Sequence, residues 1–251
     1  LYIATYSAFA PTHPSKIMDP LLPERNNLLT ERMDDPACDR ELLFNTYRQF
    51  SKINRLLSGW KQIYRSRIKP EILRNGGKAS ILDIGCGGGD IILHLCELCS
   101  KDSFDVQFTG IDPNERAHQF LSEVQVPENV RFMQTSSQNL ADENLKFDIV
   151  ISNHLIHHLS AEQLDQICRD VRILAKKRVI FNDIERNPIG YAVFKTIAPF
   201  LFKNSFIVED GLTSIRRSYK KKELEQGLPN GWQVNRQIPF RLLAEFKTEP
   251  K

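Results

Sequence analysis

Apolar positions recur in two different rhythms along this chain. Between Arg40 and Leu73 they return every three or four residues, at Leu43, Phe44, Tyr47, Phe50, Ile53, Leu56, Leu57, Trp60, Ile63, Tyr64 and Ile68. That is the period of an amphipathic helix, and it predicts one broken helix or two successive ones, parted at Ser58-Gly59. Asn75-Gly76-Gly77 then punctuates the chain. From Ser80 onward short apolar runs alternate with helical stretches. The runs predict strands at Ile81–Ile84, Val106–Ile111, Val130–Met133, Phe147–Ser152, Arg178–Asp183, Trp232–Ile238 and Leu242–Phe246. Helices are predicted at Gly89–Leu98, Glu115–Val124, Ala161–Leu174 and Lys220–Gln226. Such alternation predicts an α/β fold with a doubly wound, mainly parallel sheet. The last two strands lie too close for a helical crossover, so an antiparallel hairpin is expected to end the sheet.

The pattern divides the chain into three parts. Residues 1–39 read as an extended, partly mobile arm, with 1–17 an accessory extension; residues 40–78 read as an N-terminal helical cap. Residues 79–251 read as one α/β domain with an insertion over 186–219. That insertion carries Tyr191, Phe194, Phe200, Phe202, Phe206 and Tyr219 and is far longer than an ordinary strand–helix loop. At the carboxyl end of a parallel sheet it is expected to form a pocket wall or lid.

The segment Ile81-Leu82-Asp83-Ile84-Gly85-Cys86-Gly87-Gly88-Gly89-Asp90 narrows the chemistry. A strand delivers Asp83 and then a run of glycines into a helix, and glycine admits a ligand against bare main chain. A plain turn needs one glycine, not four. A dinucleotide fingerprint would place its third glycine at position 90, where this chain has Asp90. A carboxylate there repels a diphosphate, so a nicotinamide dehydrogenase is disfavoured and a ligand without phosphates is expected.

Asp83 through Gly89 resembles the first motif of class I S-adenosylmethionine-dependent methyltransferases. Gly110-Ile111-Asp112-Pro113 resembles their second, at the spacing that family shows. The resemblance covers roughly residues 80–247 and implies a Rossmann-like, seven-stranded sheet with a terminal antiparallel hairpin. It also implies S-adenosylmethionine as cofactor and S-adenosylhomocysteine as product. On that resemblance Asp83, Gly85, Cys86, Gly87 and Gly89 form the floor under the methionine and ribose, and Asp112 with Pro113 meets the ribose hydroxyls. A carboxylate suits that task because it accepts two hydrogen bonds at once. Where many relatives place an adenine-binding Asp, this chain has Thr135-Ser136-Ser137-Gln138, so Ser136 and Ser137 are the adenine candidates. Asn153, ending the fourth strand, is expected beside the transferable methyl. The stretch Tyr47 to Trp60 resembles the lid helices of ubiquinone and menaquinone biosynthesis methyltransferases. Glu31 to Pro36, taken with Asp210 to Arg217, resembles small-molecule methyltransferases found beside type III polyketide synthases. Those act on phenolic or pyrone-like products, which implies a small aromatic, polyketide- or quinone-like acceptor.

Methyl transfer to a phenol or enol also requires loss of a proton, and Asn153-His154-Leu155-Ile156-His157-His158 supplies candidate bases. If helical, the three histidines share one face. His154, directly after the strand, is the first candidate and His157 the second; structural and metal-ligand roles remain open, although no resident metal is expected. The missing Arg-Asn pair of quinone-ring C-methylating enzymes favours O-methylation, with C-methylation the alternative. Arg186, Tyr191, Phe194 and Arg216 are the candidate substrate contacts.

Composition changes little. In 251 residues, 34 Lys and Arg stand against 31 Asp and Glu, a net charge of +3 that makes no case for nucleic acid or a membrane surface. No Asn-Pro-Pro motif for methylating a base follows the fourth strand, and no apolar run has the roughly 20 residues needed to span a bilayer. The five cysteines are odd in number, and Cys96-x-x-Cys99 reads as a pair of packing thiols on a helix. Together these predict a cytoplasmic protein, monomer or homodimer, with a small-molecule acceptor. A non-catalytic S-adenosylmethionine-binding protein is the remaining alternative.

Overall fold

The computed structural model describes residues 22–248. The expectations for residues 1–21, including the accessory extension, lie outside the described residues. Seven strands form one sheet: β1 (Lys78–Ile84), β2 (Asp105–Ile111), β3 (Val130–Met133), β4 (Phe147–Asn153), β5 (Ala175–Ile184), β6 (Trp232–Gln237) and β7 (Arg241–Lys247). Their order is β3-β2-β1-β4-β5-β7-β6. The first five are parallel, and β7 runs antiparallel to both β5 and β6. The sheet is that of the Rossmann-like class, with the terminal hairpin. Chain order reverses at β1, which lies between β2 and β4, and ligand clefts in such sheets open beyond the carboxyl ends of the strands there.

Alternation along each strand sends successive side chains to opposite faces. Leu82, Val150 and Phe181 pack on one side with Leu164, Cys168 and Val171 of α7 (Ala161–Leu174). Ile81, Ile149 and Ile180 pack on the other with Ile92 and Leu95 of α4 (Asp90–Lys101). The same layer takes in Trp60, Ile63, Ile68 and Ile72, from the N-terminal helices. Those helices are α1 (Arg40–Leu57), α2 (Trp60–Ile63) and α3 (Lys69–Arg74), with a π-helical turn over Tyr64–Ile68. The predicted break is real. Gly59 sits at φ +74°, a left-handed conformation that glycine reaches without strain, between the end of α1 and the start of α2.

Two helices lie between β2 and β4: α5 (Glu115–Ser122) and α6 (Ser137–Asp142). The second is too short to show a helical period in the sequence. The segment 186–219 forms two helices, α8 (Pro188–Leu201) and α9 (Ile207–Arg217), followed by α10 (Lys221–Gly227). The first two pack so closely that a Cβ at Gly211 would lie 2.5 Å from the Phe194 ring. All five cysteines are free thiols, and Cys96 and Cys99 are buried in the α4 packing. No helix among the described residues is long and apolar enough to cross a membrane.

Candidate active site at the switch point of the sheet

A cavity of about 960 Å³ opens above the carboxyl ends of β1 and β4, at the upper end of the ~300–1,000 Å³ usual for ligand sites. Strand register builds its floor. Asp83 pairs with Gly110 and Ile84 with Ile111, so the loop after β1 lies beside the loop after β2. The Gly87 amide donates to Asp112 Oδ2 at 2.9 Å and the Asn114 amide donates to Oδ1 at 2.9 Å, fixing the carboxylate toward the cavity. Gly89 has a different task. A Cβ there would stand 2.5 Å from Phe132, so this glycine lets α4 lie against the sheet and does not line the cavity.

Three carboxylates crowd this floor. Asp83 is 1% exposed, and its Oδ1 has no hydrogen-bond partner among the described residues. Burial, then the charges of Asp90 and Asp112, push its carboxyl well above the ordinary range. Asp90 accepts a hydrogen bond from Asn54 of α1 at 3.0 Å, yet burial still raises it to about 6. Burial also raises Asp112.

At β4 the register aligns Asn153 with Asn182 of β5, which pairs with Leu243 of β7 near Arg241. Donors from Trp60, Asn182 and Arg241 converge on Asn153 Oδ1 at 3.0, 3.1 and 3.0 Å, locking that amide at the cavity wall. The three histidines do not share a helical face. His154 turns the chain at φ +58°, its amide donating to Asn182, and only Ile156–His158 forms a 3-10 turn. The Arg241 guanidinium donates to His154 Nε2, and burial with that cation holds His154 well below its ordinary pKa. His154 is therefore neutral with its Nε2 lone pair occupied, a poor proton acceptor.

His157 is 1% exposed. Its Nδ1 lies 2.7 Å from Asp183 Oδ1 and its Nε2 3.3 Å from Glu31 Oε1. Burial opposes its charge, but Asp183 and Glu31 prevail and raise it to about 9. In this arrangement it is an imidazolium donating on both sides, and not a free base. His158 is partly exposed, with Nε2 3.6 Å from Glu31 and Nδ1 3.5 Å from Asp34.

The segment carrying Glu31 is held from α9. The amides of Arg32 and Met33 donate to Asp210 at 2.6 and 3.1 Å, and Ser214 Oγ donates to Glu31 at 2.7 Å. Arg217 donates to the carbonyls of Leu29 and His158. The two stretches singled out by their resemblance, 31–36 and 210–217, thus form one contact. Glu31 and Asp34 were not candidates in their own right, because nothing local marks them. Asp183 ends a predicted strand, and a carboxylate at that place beside a histidine run is a signal the sequence does contain.

Asp83, Gly85, Cys86, Gly87, Asp112, Asn153, His154, His157 and Phe194 line the cavity. Other predicted contacts do not. Pro113 lies outside it and is exposed. Ser136 caps α6 by accepting the Asn139 amide, and Ser137 Oγ donates to Asp170 at 2.6 Å. Arg186 is 1% exposed and donates to the carbonyls of Leu22, Pro23 and Ser218 and to Glu223, so its charge is spent inside the protein. Arg216 donates to the Tyr191 hydroxyl at 2.8 Å, and Tyr191 packs with Leu22 and Ile215. Arg186, Tyr191 and Ile215 thus tie the segment 186–219 to the residues near Leu22, and Arg216 joins α9 to α8.

Residues 81–178 match the family model described as a methyltransferase domain. A release factor glutamine methyltransferase of Fusobacterium nucleatum subsp. nucleatum is 28% identical over 105 residues, which are 41% of this chain. The chain covers 28% of the length of that curated relative. The plantazolicin methyltransferase BpumL, solved with a pentazolic desmethylPZN analog and SAH, superposes with a TM-score of 0.56 at 14% identity, over 83% of this chain and 95% of that one. BamL, solved with a triazolic analog and SAH, gives 0.51 at 17% identity, over 84% and 98%. Residues 81–178 thus match a methyltransferase domain, and the fold around them is the one these solved methyltransferases share.

Proposed function

We propose that this chain transfers the methyl group of S-adenosylmethionine to an oxygen of a small, largely apolar molecule of aromatic or polyketide type. The observation that carries this reading is the buried carboxylate of Asp83, whose Oδ1 has no hydrogen-bond partner among the described residues, with Asp90 nearby, beside a glycine loop and an oriented Asp112. Such a floor disfavours phosphate and suits a ligand with an ammonium group, a sulfonium and a ribose diol. Asp83 and Asp90 would hold the ammonium, Asp112 the diol, and the loop backbone at Gly85 and Gly87 would lie against the ligand. When bound, the cofactor supplies an electrophilic methyl.

The protein's own part is to position the acceptor and exclude water from it. Phe50, Ile53 and Leu57 of α1 face Val193, Phe194 and Ile197 of α8 across the cavity, walls suited to an aromatic or alkyl body. The polar end near Glu31 and His158 receives the acceptor's hydroxyl. The acceptor oxygen would bond to the methyl carbon as the sulfur–carbon bond breaks, with S-adenosylhomocysteine as the leaving group and the hydroxyl proton passing to solvent. Incubation with labelled S-adenosylmethionine and a panel of phenols, pyrones and quinols tests the reading. Label in a product ether is the expected result, and label on ring carbon would replace O- by C-methylation. Calorimetry showing no S-adenosylmethionine binding to folded protein would overturn it.

A further inference from the structure

Glu31, His157 and His158 bring three donor atoms, all within 4.8 Å of one another, to the polar end of the cavity. We infer that these residues form a binding site for a divalent transition-metal ion, with two imidazole nitrogens and one carboxylate oxygen as ligands and an open position facing the cavity; the ion takes the place of the proton that His157 Nε2 otherwise donates to Glu31, and that proton leaves to solvent. The inference goes beyond the methyltransferase reading, and only its catalytic consequence rests on that reading.

Distances support it first. Ligand bonds of about 2.0–2.2 Å in a tetrahedral arrangement place neighbouring donor atoms roughly 3.3–3.6 Å apart. His157 Nε2 and His158 Nε2 lie 3.3 and 3.6 Å from Glu31 Oε1. The outer contacts support it independently. His157 Nδ1 is 2.7 Å from Asp183 Oδ1, while Asp183 Oδ2 accepts the His157 amide at 3.0 Å. That pair fixes the ring and aims Nε2 at the cavity, the carboxylate–histidine arrangement that orients metal ligands. Asp34, 3.5 Å from His158 Nδ1, stands in the same relation to the second imidazole.

The frame is also rigid. Arg25 donates to the carbonyls of His157 and Leu159, and Arg217 to that of His158, so both rings hang from a pinned turn. Asp210 and Ser214 pin the segment bearing Glu31. Four carboxylates, Glu31, Asp34, Asp183 and Asp210, stand around the two imidazoles against two guanidiniums, Arg25 and Arg217, the latter 3.9 Å from Asp34. That surplus of carboxylates suits a dication. The donor set selects Zn²⁺, Co²⁺ or a similar ion over Mg²⁺, which prefers oxygen ligands and retained water. In methyl transfer, an acceptor hydroxyl at the open position would lose its proton to solvent and be held as the oxyanion that takes the methyl.

Titration of the chelator-treated full chain with Co²⁺ tests the site. The expected result is one ion per chain with the visible absorption of a low-coordinate centre, displaced by Zn²⁺ and not by Mg²⁺. His158→Ala and Glu31→Gln should weaken Co²⁺ by at least roughly 100-fold, and Asp183→Asn by about 10–100-fold, with circular dichroism confirming each fold. Asp112→Ala addresses the cofactor floor alone and should keep the stoichiometric ion. Absence of stoichiometric Co²⁺ in the wild type, or wild-type affinity in both ligand variants, would overturn the site. Equal displacement by Mg²⁺ would overturn the donor set. S-Adenosylmethionine binding is measured in parallel: cofactor without ion sinks the metal site alone, and ion without cofactor sinks the methyltransferase reading alone.

Discussion

Asp112 spends one lone pair of each oxygen on the amides of Gly87 and Asn114, which leaves acceptor capacity for a ribose diol. Replacing it with alanine removes hydrogen bonds to a charged acceptor, worth about 1.5–3 kcal/mol each. With two such bonds lost, Asp112→Ala is therefore expected to weaken S-adenosylmethionine by roughly 100-fold or more in calorimetry, with Asp112→Asn intermediate. Asp90 adds a pH dependence. Its folded pKa, about 6, lies above its ordinary 3.8, so its contribution to stability of the unliganded protein is full below 3.8 and lost as pH rises through 6. Cofactor binding has the opposite sense, because a cationic ligand favours the ionised carboxylate. Affinity should rise from about pH 5 to about pH 7 with release of a proton. Proton uptake or release read from calorimetry in buffers of different ionisation enthalpy checks this, and Asp90→Asn should flatten it.

Elements are joined here by arginines that reach across the chain. Arg186, after β5, ties the segment near Leu22 to Ser218 and to Glu223 of α10. Removing Arg186 leaves the carbonyls of Leu22, Pro23 and Ser218 without this donor, at about 1–3 kcal/mol for each that stays buried, while the partly exposed Glu223 is taken up by water. Arg186→Met should lower the thermal midpoint markedly while leaving cofactor and acceptor affinities of the folded protein unchanged. An anchor for substrate would show the reverse, a higher acceptor KM with normal stability. The glycine loop joins elements in another way. Gly89 permits the contact of α4 with Phe132, so a side chain there disturbs packing before it disturbs a ligand.

At the scale of the whole molecule, the cavity is closed on one side by the sheet and on the other by α1 and α8. Along α8, Ile189, Val193, Ile197 and Leu201 recur at every fourth position and remain exposed, although Val193, Ile197 and Leu201 also border the cavity. On the proposed function, an apolar acceptor would enter past this rim. Ile197→Asp should raise its KM by roughly tenfold, a loss of about 1.4 kcal/mol in ground-state and transition-state binding alike. Cofactor affinity, which the proposed reading assigns to Asp83 and Asp112 on the far side, should not change in calorimetry.

The sequence by itself determined what depends on neighbours along the chain. Short apolar runs between helical stretches located all seven strands, helical period located the break at Gly59, and the loop from Asp83 to Gly89 with Asp112 marked the floor of the site. These signals are local because a buried strand needs only its own short apolar run, and a ligand loop only glycines at a strand end. Tertiary structure decided the rest. Glu31 meets a histidine 126 positions away, and no local rhythm records that pairing. The same holds for Arg186, whose partners near Leu22 and Glu223 exist only once β5, α10 and the N-terminal segment are packed. His154 lost its place as base for a physical reason of the same kind. Its position after β4 was legible, but the guanidinium of Arg241 that occupies its nitrogen arrives from β7, through the pairing of strands.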